Sequence, residues 1–409
     1  MSTRQRNRPR GWVRHYAGLI GPNALVGARL AFERDRGGRV RRVASTLGDH
    51  TKPSRGRRPR MRSLLALPGG RLQWREVATP PSPAPGAAIV HPIACATCDL
   101  DCPLALGALP FPLPLHLGHE CVAEVLTIGE QVTSIRPGDR VIVPFQISCG
   151  TCEACRAGKT GSCLAVPPFS MYGMGLTGGQ WGGAFSDQLA VPFADAMLVP
   201  LPPGVDPIDA ASVSDNICDA YRHVAPHLPS VLDRDPDAQV LILVSVKRRS
   251  IFSCSGPLYA GLFARALGAR NIALADARPW VRDHAAELGF EPVHPRELRR
   301  RPPAPLVIDM SVDHLGVALA STAADGICTA VAALHRGTRI PAMQMYLRNT
   351  TLHLGRTHVR TLIPQVLQLM VDGRFNPAAI PTNVALLDHA PVVLTEHILR
   401  GEIKTILTV

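Results

Sequence analysis

Four cysteines crowd one short stretch of this chain: Cys149-Gly-Thr-Cys152-Glu-Ala-Cys155, then Cys163. Thiolates at that C-x2-C-x2-C-x7-C spacing can surround a tetrahedral Zn²⁺ and leave no position open, the arrangement of a structural zinc. Four unrelated thiols or two disulfides are the competing readings, and a C-x2-C pair is too tightly spaced to bridge easily. Upstream stands a different set of ligand-type residues, Cys95-Ala-Thr97 and Gly118-His119-Glu120. A thiolate and a neutral imidazole are good zinc ligands, and two of them leave room for a third ligand and an exchangeable one. That open position is what a catalytic zinc needs.

The motif order extends further. Cys95-x-Thr97 and Gly118-His119-Glu120 are followed by Pro137-Gly138-Asp139-Arg140-Val141 and then by the four-cysteine loop. From about Met61 to the C-terminus this order resembles the zinc-containing medium-chain alcohol and polyol dehydrogenases. The resemblance implies that Cys95 and His119 hold a catalytic zinc, with a third ligand from a helix ahead of the nucleotide-binding domain. In the resembled family that ligand is Cys or Asp, six residues before an aromatic, and Asp215 has this offset from Tyr221. Cys218 is softer but falls one turn late, and an N-capping or surface role is the ordinary alternative for Asp215. The resemblance further implies Thr97 as a proton-relay hydroxyl and Glu120 as a carboxylate behind the zinc. An ordinary turn hydroxyl is the bland alternative for Thr97. The chemistry implied is metal-assisted hydride transfer from an alcohol to a nicotinamide.

These residues need elements to hold them. A chain of 409 residues exceeds what one hydrophobic core usually supports, so two or more domains are expected. Short strands with Pro/Gly turns, such as Ala87-Ala-Ile-Val-His-Pro-Ile93 and Arg140-Val-Ile-Val-Pro144, suggest a β-rich, barrel-like domain to about residue 205. Pro200-Leu-Pro-Pro-Gly204 marks the exit. Beyond it, Gln239–Val246, Asn271–Asp276 and Pro305–Asp309 alternate with helical segments, the rhythm of a doubly wound parallel sheet. The expected fold is therefore α/β with two domains: a β-rich GroES-like catalytic domain at 61–205 and 345–409, and a Rossmann-type dinucleotide-binding domain at 206–344.

Charge separates a third segment. Residues 1–60 carry 16 Lys and Arg against 3 acids, while the rest carries 28 against 29, so the whole surplus sits in the head. That head lacks sustained apolar periodicity and reads as disordered. A passive extension with Met61 as the working start, an organelle-targeting segment and a polyanion-binding arm are the three roles open to it. A near-neutral body argues against nucleic acid as a partner. Eleven cysteines clustered at ligand spacings fit a reducing compartment, hence the cytoplasm. No run of about eighteen apolar residues suggests a membrane span.

The dinucleotide site is where the sequence departs from the resembled pattern. A strand followed by G-x-G-x-x-G lets backbone approach a pyrophosphate at a helix N-terminus. Here the strand is followed by Ser245-Val-Lys-Arg-Arg-Ser-Ile-Phe-Ser-Cys-Ser-Gly256, with Gly261 beyond. Either Lys247, Arg248 and Arg249 neutralise the pyrophosphate by charge, or the longer loop blocks its approach. Asp276 ends the next strand, twenty residues after Gly256, where an acid can accept ribose hydroxyls. It favours NAD over NADP, although Arg278 nearby could serve NADP. The sequence thus predicts two zinc ions per chain, one catalytic and one structural, and NAD as cofactor. The expected substrate is a secondary alcohol, polyol or sugar-like molecule, and the expected assembly a homodimer or homotetramer. The alternative is a zinc-stabilised pseudoenzyme with a degenerate cofactor loop.

Overall fold

The computed structural model describes residues 59–109, 111, 113–174, 181–311, 314–331 and 340–409. The basic head and its three suggested roles lie outside the described residues.

The first part of the chain supplies β1 (Arg60–Leu67), β2 (Arg71–Ala78), β3 (Ala88–Ala96), β4 (Leu115–His116), β5 (Glu120–Ile128), β6 (Arg140–Ile142), β7 (Leu189–Val191) and β8 (Val199–Pro200). Strands β2-β1-β4 form a small antiparallel sheet. A seven-stranded sheet runs β15-β16-β3-β5-β6-β8, with β7 also paired to β3. Its last two members, β15 (Asn383–Leu386) and β16 (Thr405–Thr408), come from the end of the chain. β3 is buried along most of its length because neighbours flank it on both edges.

A six-stranded sheet follows in the order β11-β10-β9-β12-β13-β14. Its strands are β9 (Gln239–Ser245), β10 (Asn271–Asp276), β11 (Glu291–Val293), β12 (Ala304–Asp309), β13 (Thr322–Ala330) and β14 (Thr351–Leu354), and every pairing is parallel. A strand buried on both faces reads as a continuous apolar run, and β9 (Gln-Val-Leu-Ile-Leu-Val-Ser) does. Val240 and Ile242 join the main core, while Leu241 and Leu243 pack on the opposite face, as strand alternation requires. This sheet reaches Leu354, so the return to the β-rich region comes after it and not near residue 345: Gln146 Nε2 donates to Thr357 O and Arg360 Nε to Ala196 O.

Six helices matter for the site and its surroundings: α1 (Asp101–Ala105), α2 (Asn216–Val224), α3 (Ser255–Ala266), α4 (Pro279–Glu287), α5 (Ala342–Arg348) and α6 (Val359–Val371). Helices α2 and α3 pack on each other at the seam between the two large sheets, and α6 packs on α2. The seam is therefore lined by the ends of β3 and β5 and by the N-termini of α2 and α3.

Candidate metal centres and nucleotide cradle

The four-cysteine loop closes on itself. Cys149, Cys152, Cys155 and Cys163 bring their sulfurs within 4.8 Å of one another, and none is in a disulfide. Backbone N–H groups already point at sulfur: Cys152 N donates to Cys149 Sγ (3.3 Å), Cys149 N to Cys163 Sγ (3.4 Å) and Leu164 N to Cys152 Sγ (3.4 Å). Such donors favour thiolate. Burial works to raise Cys152, but the Leu164 N–H and neighbouring donors outweigh it and bring it down to about 6. The loop rests on the start of α6, where Gly161 N donates to His358 Nδ1 (3.1 Å). Four soft ligands with no His, Asp or Glu grouped with them fit a closed zinc site.

The second centre sits at the seam, and its composition differs from the sequence expectation. Cys98, His119, Glu120 and Asp215 place one ligand atom each within 4.8 Å of the others. Cys95 is not among them. It lies inside β3, paired with Cys121 and Leu407, and its Sγ donates to Ala184 O (3.4 Å). The strand ends at Ala96, so the next cysteine, Cys98, is the one released onto the loop that enters α1. Thr97 is likewise taken up by strand pairing: its N–H donates to Thr405 O, and its Oγ1 accepts from Thr405 N (2.9 Å). The hydroxyl faces a ladder and not the metal cluster. Cys218 is fully buried and outside the cluster.

His119 is aimed by its neighbour. Gly118 has φ +87°, and a Cβ there would stand 2.5 Å from Phe185 N, so only glycine turns the chain at this point. His119 Nε2 then lies 3.3 Å from Asp215 Oδ2, and Nδ1 lies 3.7 Å from Asp101 Oδ1. Neither ring nitrogen makes a well-directed hydrogen bond. Asp215 stands at the N-cap position of α2 but makes no capping bond; its carboxylate turns to His119 and to Cys98 Sγ (3.5 Å). Burial works to lower the His119 pKa, yet Asp101, Asp215 and Glu120 outweigh it and raise it to about 9. A fully buried imidazole among carboxylates and a thiol is an environment that calls for a cation.

Glu120 is held from behind. Its Oε1 accepts from Asn216 N (3.1 Å), and its Oε2 from Ser212 Oγ (2.6 Å) and Lys404 Nζ (3.1 Å). Lys404 is fully buried; burial would lower its pKa, but the Glu120 carboxylate outweighs this and raises it. Lys404 Nζ also donates to Thr97 O. With both Glu120 oxygens engaged, Cys98, His119 and Asp215 are the three that would hold a metal. They fit the three-ligand, one-open-position pattern of a catalytic zinc. Lys404, Asp101 and Cys98 escaped the sequence reading. The apolar run ending at Ala96 was the available signal, because a cysteine inside a strand cannot leave the ladder.

The nucleotide cradle is arranged otherwise. Asp99, next to Cys98, reaches the N-terminus of α3. Its Oδ1 accepts from Ser253 Oγ (2.5 Å), Ser255 N (2.9 Å) and Ser255 Oγ (2.6 Å), and its Oδ2 from Gly256 N (3.0 Å). Gly256 is a point of close approach, but to the protein itself: a Cβ there would meet Asn216 Oδ1 at 2.8 Å and Asp99 Oδ2 at 3.2 Å. Gly261 faces Phe290, whose ring atoms lie 2.6 Å from where its Cβ would be, so it serves packing. Asp276 is fully buried and bound by Arg278, with Nη2 to Oδ2 at 2.7 Å and Nε to Oδ1 at 3.0 Å. Arg278 Nη1 donates onward to Phe252 O (3.0 Å), which ties down the loop. Arg248 and Arg249 are exposed on that loop. Gly256, Gly261 and Asp276 are thus engaged by the chain itself, and in this arrangement they do not fit a dinucleotide.

A β-rich unit carrying the four-cysteine loop is joined to a parallel sheet, and Cys98, His119, Glu120 and Asp215 cluster at the seam. Residues 84–203 match the alcohol dehydrogenase GroES-like domain family. A probable zinc-binding alcohol dehydrogenase of Mycobacterium tuberculosis is 25% identical over 354 residues, covering 81% of this chain and 83% of that protein. A glutathione-independent formaldehyde dehydrogenase of Pseudomonas aeruginosa is 33% identical over 199 residues, 47% of each chain. Among solved structures, an alcohol dehydrogenase from Thermus sp. ATN1 superposes with a TM-score of 0.76 at 27% identity, covering 85% of this chain and 99% of that one. Over most of its length the chain is similar to zinc-binding alcohol dehydrogenases, and residues 84–203 form an alcohol dehydrogenase GroES-like domain.

Proposed function

We propose that this protein is a zinc-dependent oxidoreductase acting on the hydroxyl or carbonyl oxygen of a small alcohol or polyol. The observation that carries this is the cluster of Cys98 Sγ, His119 Nε2 and Asp215 Oδ2, buried and drawn together without internal hydrogen-bond partners for the imidazole. Zinc bound there would supply Lewis acidity toward a substrate oxygen. The chain's own contribution is to fix its ligands: Asp101 stands behind His119, and Lys404, Ser212 and Asn216 hold Glu120 beside the cluster. The four-cysteine loop would carry a second, structural zinc. Among the described residues no helix is long and apolar enough to cross a membrane.

The expected hydride acceptor is a nicotinamide dinucleotide, NAD in preference to NADP. The engagement of Asp99 and of Asp276 favours a second reading, a zinc-stabilised protein of this fold that has given up the dinucleotide and serves binding or assembly. A homodimer or homotetramer fits the exposed Met343, Tyr346 and Leu347 of α5, next to the edge strand β14. These side chains flank a shallow concavity of about 580 Å³ that is remote in character from the metal chemistry, being lined by Pro341, Met343 and Leu347.

Elemental analysis together with turnover of simple alcohols tests the proposal. The expected result is about two zinc per chain, falling to one in His119→Ala while the cysteine loop keeps its own. Wild-type protein that is folded and metal-free would sink the zinc reading. Two bound zinc ions without turnover in the presence of NAD or NADP would move the conclusion to the second reading.

A further inference from the structure

We infer that Asp99 is an intramolecular occupant of the anion cradle at the N-terminus of α3, so that Asp99 and a dinucleotide pyrophosphate exclude each other. The inference rests on the zinc-oxidoreductase reading only for the expectation that a dinucleotide belongs there. A helix N-terminus offers unpaired N–H groups and the positive end of the helix dipole, and an anion placed there is stabilised by both. In this chain the anion is already present. Asp99 takes two backbone N–H groups, Ser255 and Gly256, and two hydroxyls, Ser253 and Ser255, at 2.5–3.0 Å. A pyrophosphate cannot accept from the same N–H groups while the carboxylate does, and the two anions repel at that range.

Three further observations point the same way. Asp276, the acid that would receive ribose hydroxyls, has both oxygens bound by Arg278 and no exposed surface. Asn216 Nδ2, from the start of α2, donates to Ser255 Oγ (3.2 Å), so the α3 terminus is held from a second side. The clamp also bears on the metal cluster, because Asp99 follows Cys98 directly and joins the loop after β3 to α3 across the seam. In this arrangement His119 and Glu120 are fully buried, and only an edge of Asp215 meets solvent. Release of Asp99 would therefore free the cradle and loosen the approach to the cluster together.

The test is isothermal titration of the zinc-replete full chain with NADH and with NADPH, comparing wild type with Asp99→Gly, Asp99→Asn and Ser253→Ala. The expected result is weak or undetectable binding to wild type and an affinity at least about tenfold higher in Asp99→Gly, equivalent to ~1.4 kcal/mol. Ser253→Ala, which weakens the clamp without touching the residue beside Cys98, should move affinity in the same direction by less. Asp99→Asn keeps the side-chain volume and serves if the glycine variant does not fold. Tight NADH binding by wild type, or no gain in folded, metal-replete variants, would overturn the inference. Cobalt substitution separates the two levels. A thiolate-to-cobalt absorption band present in every variant, with no gain in NADH binding, rejects the clamp alone. Absence of a seam-site band in wild type rejects the zinc reading beneath it.

Discussion

At the cluster of Cys98, His119 and Asp215, a buried imidazole has two ring nitrogens without a good hydrogen bond, and carboxylates crowd around it. A few residues away at the N-terminus of α3, backbone donors that commonly receive a ligand already have one, the carboxylate of Asp99. The two regions share a seam and a segment of chain, yet one calls for an external partner and the other does not. Buried polar atoms are almost always satisfied, and an unsatisfied imidazole within 4.8 Å of a thiol and two carboxylates points to something that binds from outside. A satisfied cradle points to a partner within the chain. The same contrast separates Asp215, which stands at a helix N-cap and leaves that duty undone, from Asp276, which is wholly taken up by Arg278.

The largest effect should come from the closed cysteine loop. Cys152→Ser removes a thiolate from a site whose metal binding is worth on the order of 10 kcal/mol in comparable small zinc sites. Elemental analysis should show one zinc lost, and thermal unfolding should shift strongly downward. Retention of both metals with an unchanged melting temperature would mean that the loop is not a zinc site.

Next in size is the nucleotide side. Arg278→Ala leaves the Asp276 carboxylate buried and unpaired, a change that should cost about 3–5 kcal/mol. Replacing both residues together, Asp276→Leu with Arg278→Met, should recover most of that loss in urea titrations. If Arg278→Ala is neutral, Asp276 is not engaged as described and could meet a ribose after all, which would blur the contrast between the two regions.

The choice of cysteine at the metal cluster gives a sharper but smaller test. Cys98→Ser should abolish the cobalt–thiolate band of the seam site. Cys95→Ser should keep it and cost about 1 kcal/mol, since only one weak bond inside β3 is altered. The reverse pattern would restore the sequence expectation for Cys95.

Metal affinity at the seam should also depend on pH. Without a cation, burial lowers the His119 pKa but the surrounding carboxylates raise it to about 9, so zinc must displace a proton over the whole range below that value. Burial likewise holds the Cys98 thiol well above its usual range. Apparent zinc affinity of the seam site therefore rises as pH increases from 6 toward about 9. The cysteine loop should gain affinity with pH as well, because burial raises Cys155 and Cys163 even though Cys152 is brought down to about 6. A seam-site affinity that stays flat between pH 6 and about 9 in competitive chelator titrations would contradict this. The mildest expected effect is at α5: Tyr346→Glu should shift light-scattering mass toward monomer without altering metal content.

Several of these features were legible in the chain before any coordinates. The four-cysteine spacing is local, and a loop of fifteen residues can gather its ligands whatever the rest of the fold does. The apolar runs at Gln239–Val246, Asn271–Asp276 and Pro305–Asp309 announced a parallel sheet because burial on both faces leaves little choice of residue. The loss of glycines after β9 announced an altered cradle. What the chain alone did not decide was which of two cysteines three residues apart leaves the strand. That depends on where β16, from the far end of the sequence, stops pairing with β3. Nor did it show Lys404 arriving behind Glu120, or Asp99 crossing the seam to cap α3. Local pattern dictates residue type and periodicity, whereas contacts between groups hundreds of positions apart are fixed only when the two sheets pack and each buried charge must find its partner.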